Sequence, residues 1–158
     1  MDMSKIEGIP VPPASLLAEF GPPGAYRDCY AREVPFVGEA ASLEAFVTHF
    51  YCSAAFRPER IVLGLAGHRS TNADAAALAR GDADTFAMWR VIERREDELL
   101  LQDKRGATAS WFSVRDSAAA GQTTTLLFGS WVGQPDRPLV KALIPFHRWY
   151  SRWLLGGV

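Results

Sequence analysis

The chain has 158 residues, of which 48% are hydrophobic and 22% are charged, and its formal net charge at pH 7 is -1. This composition is typical of one ordinary globular domain and excludes a disordered or fibrous chain. The balanced charge provides no overall field that would attract a polyanion, so we expect no nucleic-acid partner.

The cysteine content and the hydropathy pattern predict the compartment. The two cysteines, Cys29 and Cys52, are too few for a disulfide framework, and each lies in an apolar pattern that favours a reduced thiol. No segment reaches the ~18 uncharged apolar residues of a membrane span, and residues 1–8 lack the pattern of a signal peptide. We therefore predict a cytoplasmic protein with no stable membrane insertion.

Residues 1–25 are a leader rich in proline and glycine, which excludes a long helix or a central strand. Within it, Leu16, Leu17 and Phe20 predict a turn or two of helix. Residues 26–158 are predicted to form a single domain. Its first strand spans residues 26–34, whose side chains alternate between two faces.

Three helices are predicted after this strand. Ser42 is a favourable N-cap for the first, whose apolar residues recur at the spacing of one buried face. Pro58 suits the first turn of the second, which Gly67 ends. Thr71 begins the third with a capping pattern, and Gly81 ends it.

From residue 85 the pattern becomes extended. Four runs are rich in β-branched, aromatic and aliphatic residues: 85–94, 98–105, 107–116 and 123–133. Short separators, including the loop at 118–121, predict hairpins and hence an antiparallel meander. Because several runs are apolar on both faces, we expect the outer face to be covered by the leader and small helices or by a second subunit.

The last segment predicts a long amphipathic helix. Asp136 or Arg137 is its cap, and Pro138 lies in its first turn. Its apolar residues recur at alternating spacings of four and three and predict one long core stripe: Leu139, Leu143, Phe146, Tyr150 and Trp153. Pro145 removes a backbone hydrogen bond and predicts a bend near the middle.

The order of elements resembles the helix-grip fold of the START and polyketide-cyclase (SRPBCC) superfamily. Residues 128–131 (Phe-Gly-Ser-Trp) and 143–148 (Leu-Ile-Pro-Phe-His-Arg) are also similar to an uncharacterised bacterial branch of it. The resemblance covers residues 26–155 and implies an α+β fold in which a curved antiparallel sheet wraps around the C-terminal helix. It also implies a cavity between them that holds an apolar or amphipathic molecule in relatives. The sequence predicts five strands where the superfamily usually has six or seven, which would make the cavity smaller.

The candidate ligand-binding residues are aromatic side chains of the strands and last helix, with two polar residues to orient a head group: Trp89, Trp111, Trp131, Phe146, Tyr150, Arg90 and His147. Each has an alternative. The tryptophans also suit ordinary core packing, and His147 suits a core or rim histidine bonded to backbone. Arg90 faces inward and needs a partner, or faces outward as a solvated sheet residue, depending on strand register.

No motif of a metal site, a nucleotide-binding loop or a hydrolase elbow is present, so we predict no metal, no cofactor and no catalytic residue. This favours a binding module for a small apolar or amphipathic molecule over an enzyme. The alternatives are a cyclase or hydratase that uses His147 as acid and base, or a non-catalytic homodimeric interaction protein.

Overall fold

A computed structural model describes residues 5–35, 38–116 and 123–158; residues 1–4 and the predicted loop at 118–121 lie outside them. The described residues form seven strands and five α-helices. The strands are β1 (Ile6–Gly8), β2 (Tyr26–Val34), β3 (Thr85–Phe86), β4 (Trp89–Arg94), β5 (Glu98–Asp103), β6 (Thr108–Asp116) and β7 (Thr124–Val132). The helices are α1 (Leu16–Glu19), α2 (Leu43–Cys52), α3 (Arg57–Leu65), α4 (Asn72–Arg80) and α5 (Pro138–Gly156).

The strands form one open, curved sheet in the order β1-β2-β7-β6-β5-β4-β3. Each pair of neighbours is antiparallel. The first long strand, β2, therefore lies beside the last strand, β7, while β3 to β7 follow one another as a meander. The predicted α+β class, with an antiparallel sheet and a C-terminal helix, is confirmed.

The predicted count of five strands is wrong in two places. Residues of the leader form β1, which pairs with β2 from Ile6 opposite Arg32 to Gly8 opposite Tyr30. The predicted run 85–94 is two strands, because Ala87 adopts a φ of 50° and turns the chain between them. Neither feature has a strong signal, since β1 is three residues long and alanine rarely adopts a positive φ.

The three predicted helices after the first strand are present, and their ends have the expected chemistry. The Ser42 side chain accepts a hydrogen bond from the Ala45 N–H and caps α2. Thr71 and Asp74 form a capping box at the start of α4. Gly81 ends α4 with a φ of 84°, a conformation that glycine adopts without steric cost.

The two faces of the sheet have separate hydrophobic cores. The inner face packs against α2, α4 and the last turns of α5 around a group of aromatic rings: Phe46, Phe50, Tyr51, Phe86, Phe112 and Phe128. On the outer face, Leu16 and Leu17 of the leader pack against Trp111, Leu127 and Trp131. The leader therefore covers part of the apolar outer face, as one predicted alternative has it, but the small helices α2 and α4, which the same alternative placed there, pack on the inner face.

The predicted core stripe of α5 is wrong over its first half. Leu139 and Phe146 are 72% and 60% exposed, whereas the buried residues, among them Leu154 and Leu155, lie in the last two turns. The periodicity shows which face of a helix is apolar but not how far the sheet extends beneath it. The 19-residue helix is about 28 Å long, and only its C-terminal part rests on the core. None of the described helices has the length and hydropathy needed to cross a membrane.

Candidate ligand-binding site

A cavity of about 270 Å³ lies between the inner face of the sheet and helices α3 and α5. Its walls combine aromatic rings with a few polar groups: Tyr51, Phe56, Glu59, Trp89, Ser130, His147 and Tyr150. Apolar walls with few polar groups are typical of pockets that bind small organic molecules.

A second, larger space, a groove of about 640 Å³, runs between the first half of α5 and the loops at one end of the sheet. Val140, Leu143 and Ile144 form its helical wall, and Arg105 and Arg137 also line it. The groove and the cavity have Thr108 and His147 in common. His147 therefore stands where the two spaces adjoin.

Strand register places a polar cluster beside His147. Asp28 of β2 lies directly opposite Ser130 of β7. Oδ2 of Asp28 lies 3.8 Å from Nε2 of His147, and the hydroxyl of Tyr26 donates a 2.9 Å hydrogen bond to the same oxygen. Because side chains alternate along a strand, Tyr26 and Asp28 share the face of β2 that is turned toward α5.

Three buried polar atoms of this cluster, Asp28 Oδ1, Ser130 Oγ and His147 Nε2, have no hydrogen-bond partner within residues 5–35, 38–116 and 123–158. The indole Nε1 of Trp89, which lines the same cavity, is a fourth. Ser130, His147 and Trp89 line the cavity, whereas Asp28 lies behind them and lines neither the cavity nor the groove. Buried polar groups are nearly always hydrogen-bonded, so the unpartnered atoms of Ser130, His147 and Trp89 mark the position of a polar ligand group or a bound water.

The environment of Asp28 changes its acidity. Burial raises the pKa of the Asp28 carboxyl above its ordinary value, while the nearby His147, the hydrogen bond from Tyr26 and the adjacent Ser130 act in the opposite direction. Burial and the neighbouring Asp28 also raise the pKa of Tyr26. A carboxyl with a raised pKa can give up and take back a proton closer to neutral pH than a solvated aspartate can.

A second carboxyl lies across the cavity. The hydroxyl of Tyr150 on α5 donates a 2.8 Å hydrogen bond to Oε2 of Glu59 on α3. Burial raises the pKa of Glu59, and the hydrogen bond from Tyr150 opposes this shift in part. The pair ties α3 to α5 at the cavity wall.

The structure places three of the seven predicted ligand-binding residues, Trp89, His147 and Tyr150, in the cavity wall. Trp131 belongs to the outer-face core, where Phe20 packs edge-on against it with ring centroids 5.0 Å apart, yet it also lines the groove. These four residues are brought together around the two spaces.

The other three predicted residues lie elsewhere. Trp111 is fully buried on the outer face, where its indole donates a hydrogen bond to Glu98. Arg90 is exposed and donates to Gln102, which is its cross-strand neighbour, so its outward alternative holds. Phe146 is exposed on α5 and lines neither space. Trp111 and Arg90 point away from the cavity because of strand register, and Phe146 because only the end of α5 packs on the sheet.

Sequence reasoning missed the most polar residues of the site, Asp28, Ser130 and Glu59. One signal was available for Asp28, since the alternation over residues 26–34 already places it on one face with Tyr26 and Tyr30. A carboxylate between two tyrosines on a strand face indicates a buried polar group. The positions of Ser130 and Glu59 relative to His147 depend on long-range packing.

Neither metal binding nor a reactive Cys29 thiol is supported among the described residues. Within the three described ranges, no group of three or more His, Cys, Asp and Glu side chains is arranged to hold a metal ion. Burial raises the pKa of the Cys29 thiol to about 12, so its nucleophilic thiolate is scarce at neutral pH.

Comparison with known proteins adds no relative. No protein-family model, no curated protein and no solved structure matches the chain. The cavity, the groove and the polar cluster are therefore the features from which a function can be inferred.

Proposed function

We propose that this chain is a binding module that holds a small apolar or amphipathic molecule between the sheet and α5, with a polar group of the ligand at the Asp28–Ser130–His147 cluster. The observation that carries the proposal is the set of buried atoms without a hydrogen-bond partner at the cavity wall: Ser130 Oγ, His147 Nε2 and Trp89 Nε1. They lie beside apolar walls, so a ligand with one polar group and an apolar body would satisfy both.

The topology supports a helix-grip-like assignment within this proposal. The strand β2, the helices after it, the antiparallel strands and the long C-terminal helix follow one another in the order implied by the resemblance to the START and polyketide-cyclase superfamily. The chain departs from a complete grip, because a groove separates the first half of α5 from the sheet. That groove supplies room that the smaller inner cavity lacks.

Native mass spectrometry of gently purified protein, followed by denaturing extraction, tests the proposal. We expect a reproducible adduct that is released on denaturation and identified as an amphipathic or apolar compound. Titration with the fluorescent probe 8-anilinonaphthalene-1-sulfonate then reports whether the site accepts an apolar molecule. Folded protein that carries no adduct and binds no probe would contradict the proposal.

A matched pair of serine variants locates the site. Ser130 and Ser113 are both buried on central strands, and the hydroxyl of each has no partner among the described residues, but Ser113 faces the outer core. Ser130→Ala should weaken ligand binding by up to about tenfold, which is the effect of one lost hydrogen bond. Ser113→Ala should leave binding unchanged, and equal effects of the two would place the ligand elsewhere.

The distance between Asp28 and His147 favours an acid–base enzyme, of the cyclase or hydratase kind, as a second candidate. A carboxyl with a raised pKa lies 3.8 Å from an imidazole at the junction of two ligand-sized spaces. Such a pair can remove a proton from one atom of a bound molecule and return one to another. His147→Ala and Asp28→Asn would then abolish turnover, whereas in a binding module they would change affinity only modestly.

A further inference from the structure

The groove between the first half of α5 and the loops at one end of the sheet has a one-sided charge. Arg105, Arg137 and His147 line it, and no aspartate or glutamate of the described residues does. The whole chain has a net charge of -1, so the groove differs from the protein as a whole. Cationic side chains without acidic neighbours favour an anionic group in the molecule that occupies the groove.

A structured turn between β5 and β6 positions Arg105. The Gly106 N–H donates a 2.9 Å hydrogen bond to the backbone oxygen of Asp103. The Asp103 carboxylate accepts hydrogen bonds from the backbone N–H of Arg105 and from the N–H and hydroxyl of Thr108. It therefore serves the turn and forms no ion pair with the guanidinium of Arg105. Within residues 5–35, 38–116 and 123–158, that guanidinium has neither a hydrogen-bond partner nor an ion-pair partner.

Arg137 is held in a similar way at the start of α5. Its N–H donates to the backbone oxygen of Gln134 at 3.3 Å, and its own backbone oxygen accepts a 2.9 Å hydrogen bond from Lys141. The Arg137 side chain does not cap the helix, and the first turn of α5 contains no acidic residue. The partial positive charge of the helix N-terminus therefore adds to that of the guanidinium.

The loops that carry these two arginines are joined to each other. The Gly133 N–H donates a 2.9 Å hydrogen bond to the backbone oxygen of Ala107, so Arg105 and Arg137 border the same space. Trp131 also lines the groove and is 6% exposed, and its Nε1 atom has no hydrogen-bond partner in the described part of the chain. An indole N–H can only donate, so it too suits an acceptor group such as a carboxylate.

We propose that the groove binds the carboxylate of the ligand, which is therefore an apolar carboxylic acid with a second polar group at its other end. This inference rests on the proposed function and names the chemical class of the ligand. Planar guanidinium groups match the oxygens of a carboxylate in geometry and charge. The apolar chain would lie along Leu143 and Ile144 and pass His147, which lines both spaces, so that the second polar group reaches Ser130 in the cavity.

A matched pair of compounds tests the proposal on the intact chain. The probes are 10-hydroxydecanoate and 1,10-decanediol, which have the same chain and one hydroxyl in common and differ in whether the other end is a carboxylate. In isothermal titration calorimetry at low salt, we expect the acid to bind at least about tenfold more tightly than the diol, as a charge-assisted hydrogen bond requires. Added salt should reduce this difference, because it screens the attraction between exposed charges.

Substitutions assign the effect to the groove. Arg105→Gln and Arg137→Gln should each weaken binding of the acid about three- to tenfold and change that of the diol less than about twofold. Arg57→Gln is the control, because Arg57 is also exposed at the start of a helix but lines neither the groove nor the cavity. It should change the affinity for either compound less than about twofold. Circular dichroism checks that each variant is folded.

Several results would overturn the carboxylic-acid proposal. Equal affinities for the acid and the diol would do so and would leave the binding module intact. Equal losses in Arg57→Gln and in the two groove variants would show an effect of overall charge instead of a site. A compound extracted from the purified protein that has no carboxyl group would exclude this ligand class. Folded protein that binds neither compound also overturns it, but contradicts the binding module only if the extracted adduct and binding of 8-anilinonaphthalene-1-sulfonate are absent as well.

Discussion

The indole Nε1 of Trp111 donates a 2.6 Å hydrogen bond to Oε2 of Glu98, a carboxylate that is 5% exposed on the outer face of the sheet. The same oxygen accepts a 2.8 Å hydrogen bond from the backbone N–H of Leu16. One buried acid thus joins the meander to the first turn of α1 and holds the leader on the sheet.

We expect Glu98→Ala to lower the free energy of unfolding by about 2–4 kcal/mol, because two buried donors would lose their acceptor. Glu98→Gln retains an oxygen that can accept, so it should cost less. Urea denaturation monitored by circular dichroism measures both. An alanine variant as stable as the parent protein would show that the leader is held by apolar contacts alone.

Gly129 of β7 is a position where the leader packs tightly against the sheet. A Cβ atom there would lie 2.5 Å from Cδ2 of Leu17 and 2.9 Å from the carbonyl oxygen of Asp28. Gly129→Ala should therefore cost about 1–3 kcal/mol of stability, as overpacking of a core does. Gly8→Ala is the control, since its Cβ would make only an ordinary 3.7 Å contact with the ring of Tyr30. Thermal unfolding measures the melting temperature of both variants, and equal melting temperatures would contradict the prediction.

The pKa of Asp28 should respond to the charge of His147. His147 opposes the upward shift caused by burial, so His147→Ala should raise the pKa of Asp28 further. Titration of the Asp28 carboxyl carbon by NMR measures this change. His49→Ala is the control, because His49 is exposed on α2. An Asp28 titration that is the same in both variants would mean that the two side chains do not interact in solution.

The raised pKa of Glu59 predicts that the stability of the protein depends on pH. Its pKa in the folded protein is raised above the ordinary value of 4.5, so between these two values the folded state binds more protons than the unfolded state. Stability must then fall as the pH rises through that interval. In Glu59→Gln the side chain can still accept the hydrogen bond from Tyr150 but carries no charge. The free energy of unfolding of the variant, relative to that of the parent protein, should therefore increase as the pH rises through the same interval.

Urea denaturation at a series of pH values checks this dependence, with Glu44→Gln as an exposed control on α2. A constant difference between Glu59→Gln and the parent protein, from acid to neutral pH, would show that the Glu59 carboxyl is solvated.

The contacts of Arg32 indicate how the C-terminal end of α5 is held. Its Nη1 atom donates to the backbone oxygens of Leu155, Gly156 and Val158 at 3.0, 3.2 and 2.8 Å, at the end of α5. Arg32→Ala should cost about 1–3 kcal/mol and speed amide exchange in the last turn, because helix-end carbonyls would lose a charged donor. Arg115→Ala is the control and should change neither the free energy of unfolding nor the amide exchange rate, because Arg115 is exposed. Slow amide exchange in the last turn that persists in Arg32→Ala would contradict the prediction.

The features that depend on neighbouring residues could be predicted from the amino-acid sequence. Interactions within a few positions of the chain produce the alternation over residues 26–34, the N-caps Ser42 and Thr71, and the end of α4 at Gly81. The α+β class and the antiparallel meander followed from the order of these segments and the short separators between them.

The face of each strand that meets a given helix follows from long-range packing and could not be predicted from the sequence. Strand register turns Trp111 and Arg90 away from the cavity, and the limited overlap of α5 with the sheet leaves Phe146 in solvent. The same packing brings Asp28 to His147, although 119 positions separate them in the chain. Such contacts depend on how whole elements pack, and the periodicity of a single segment contains no information about the surface that will cover it.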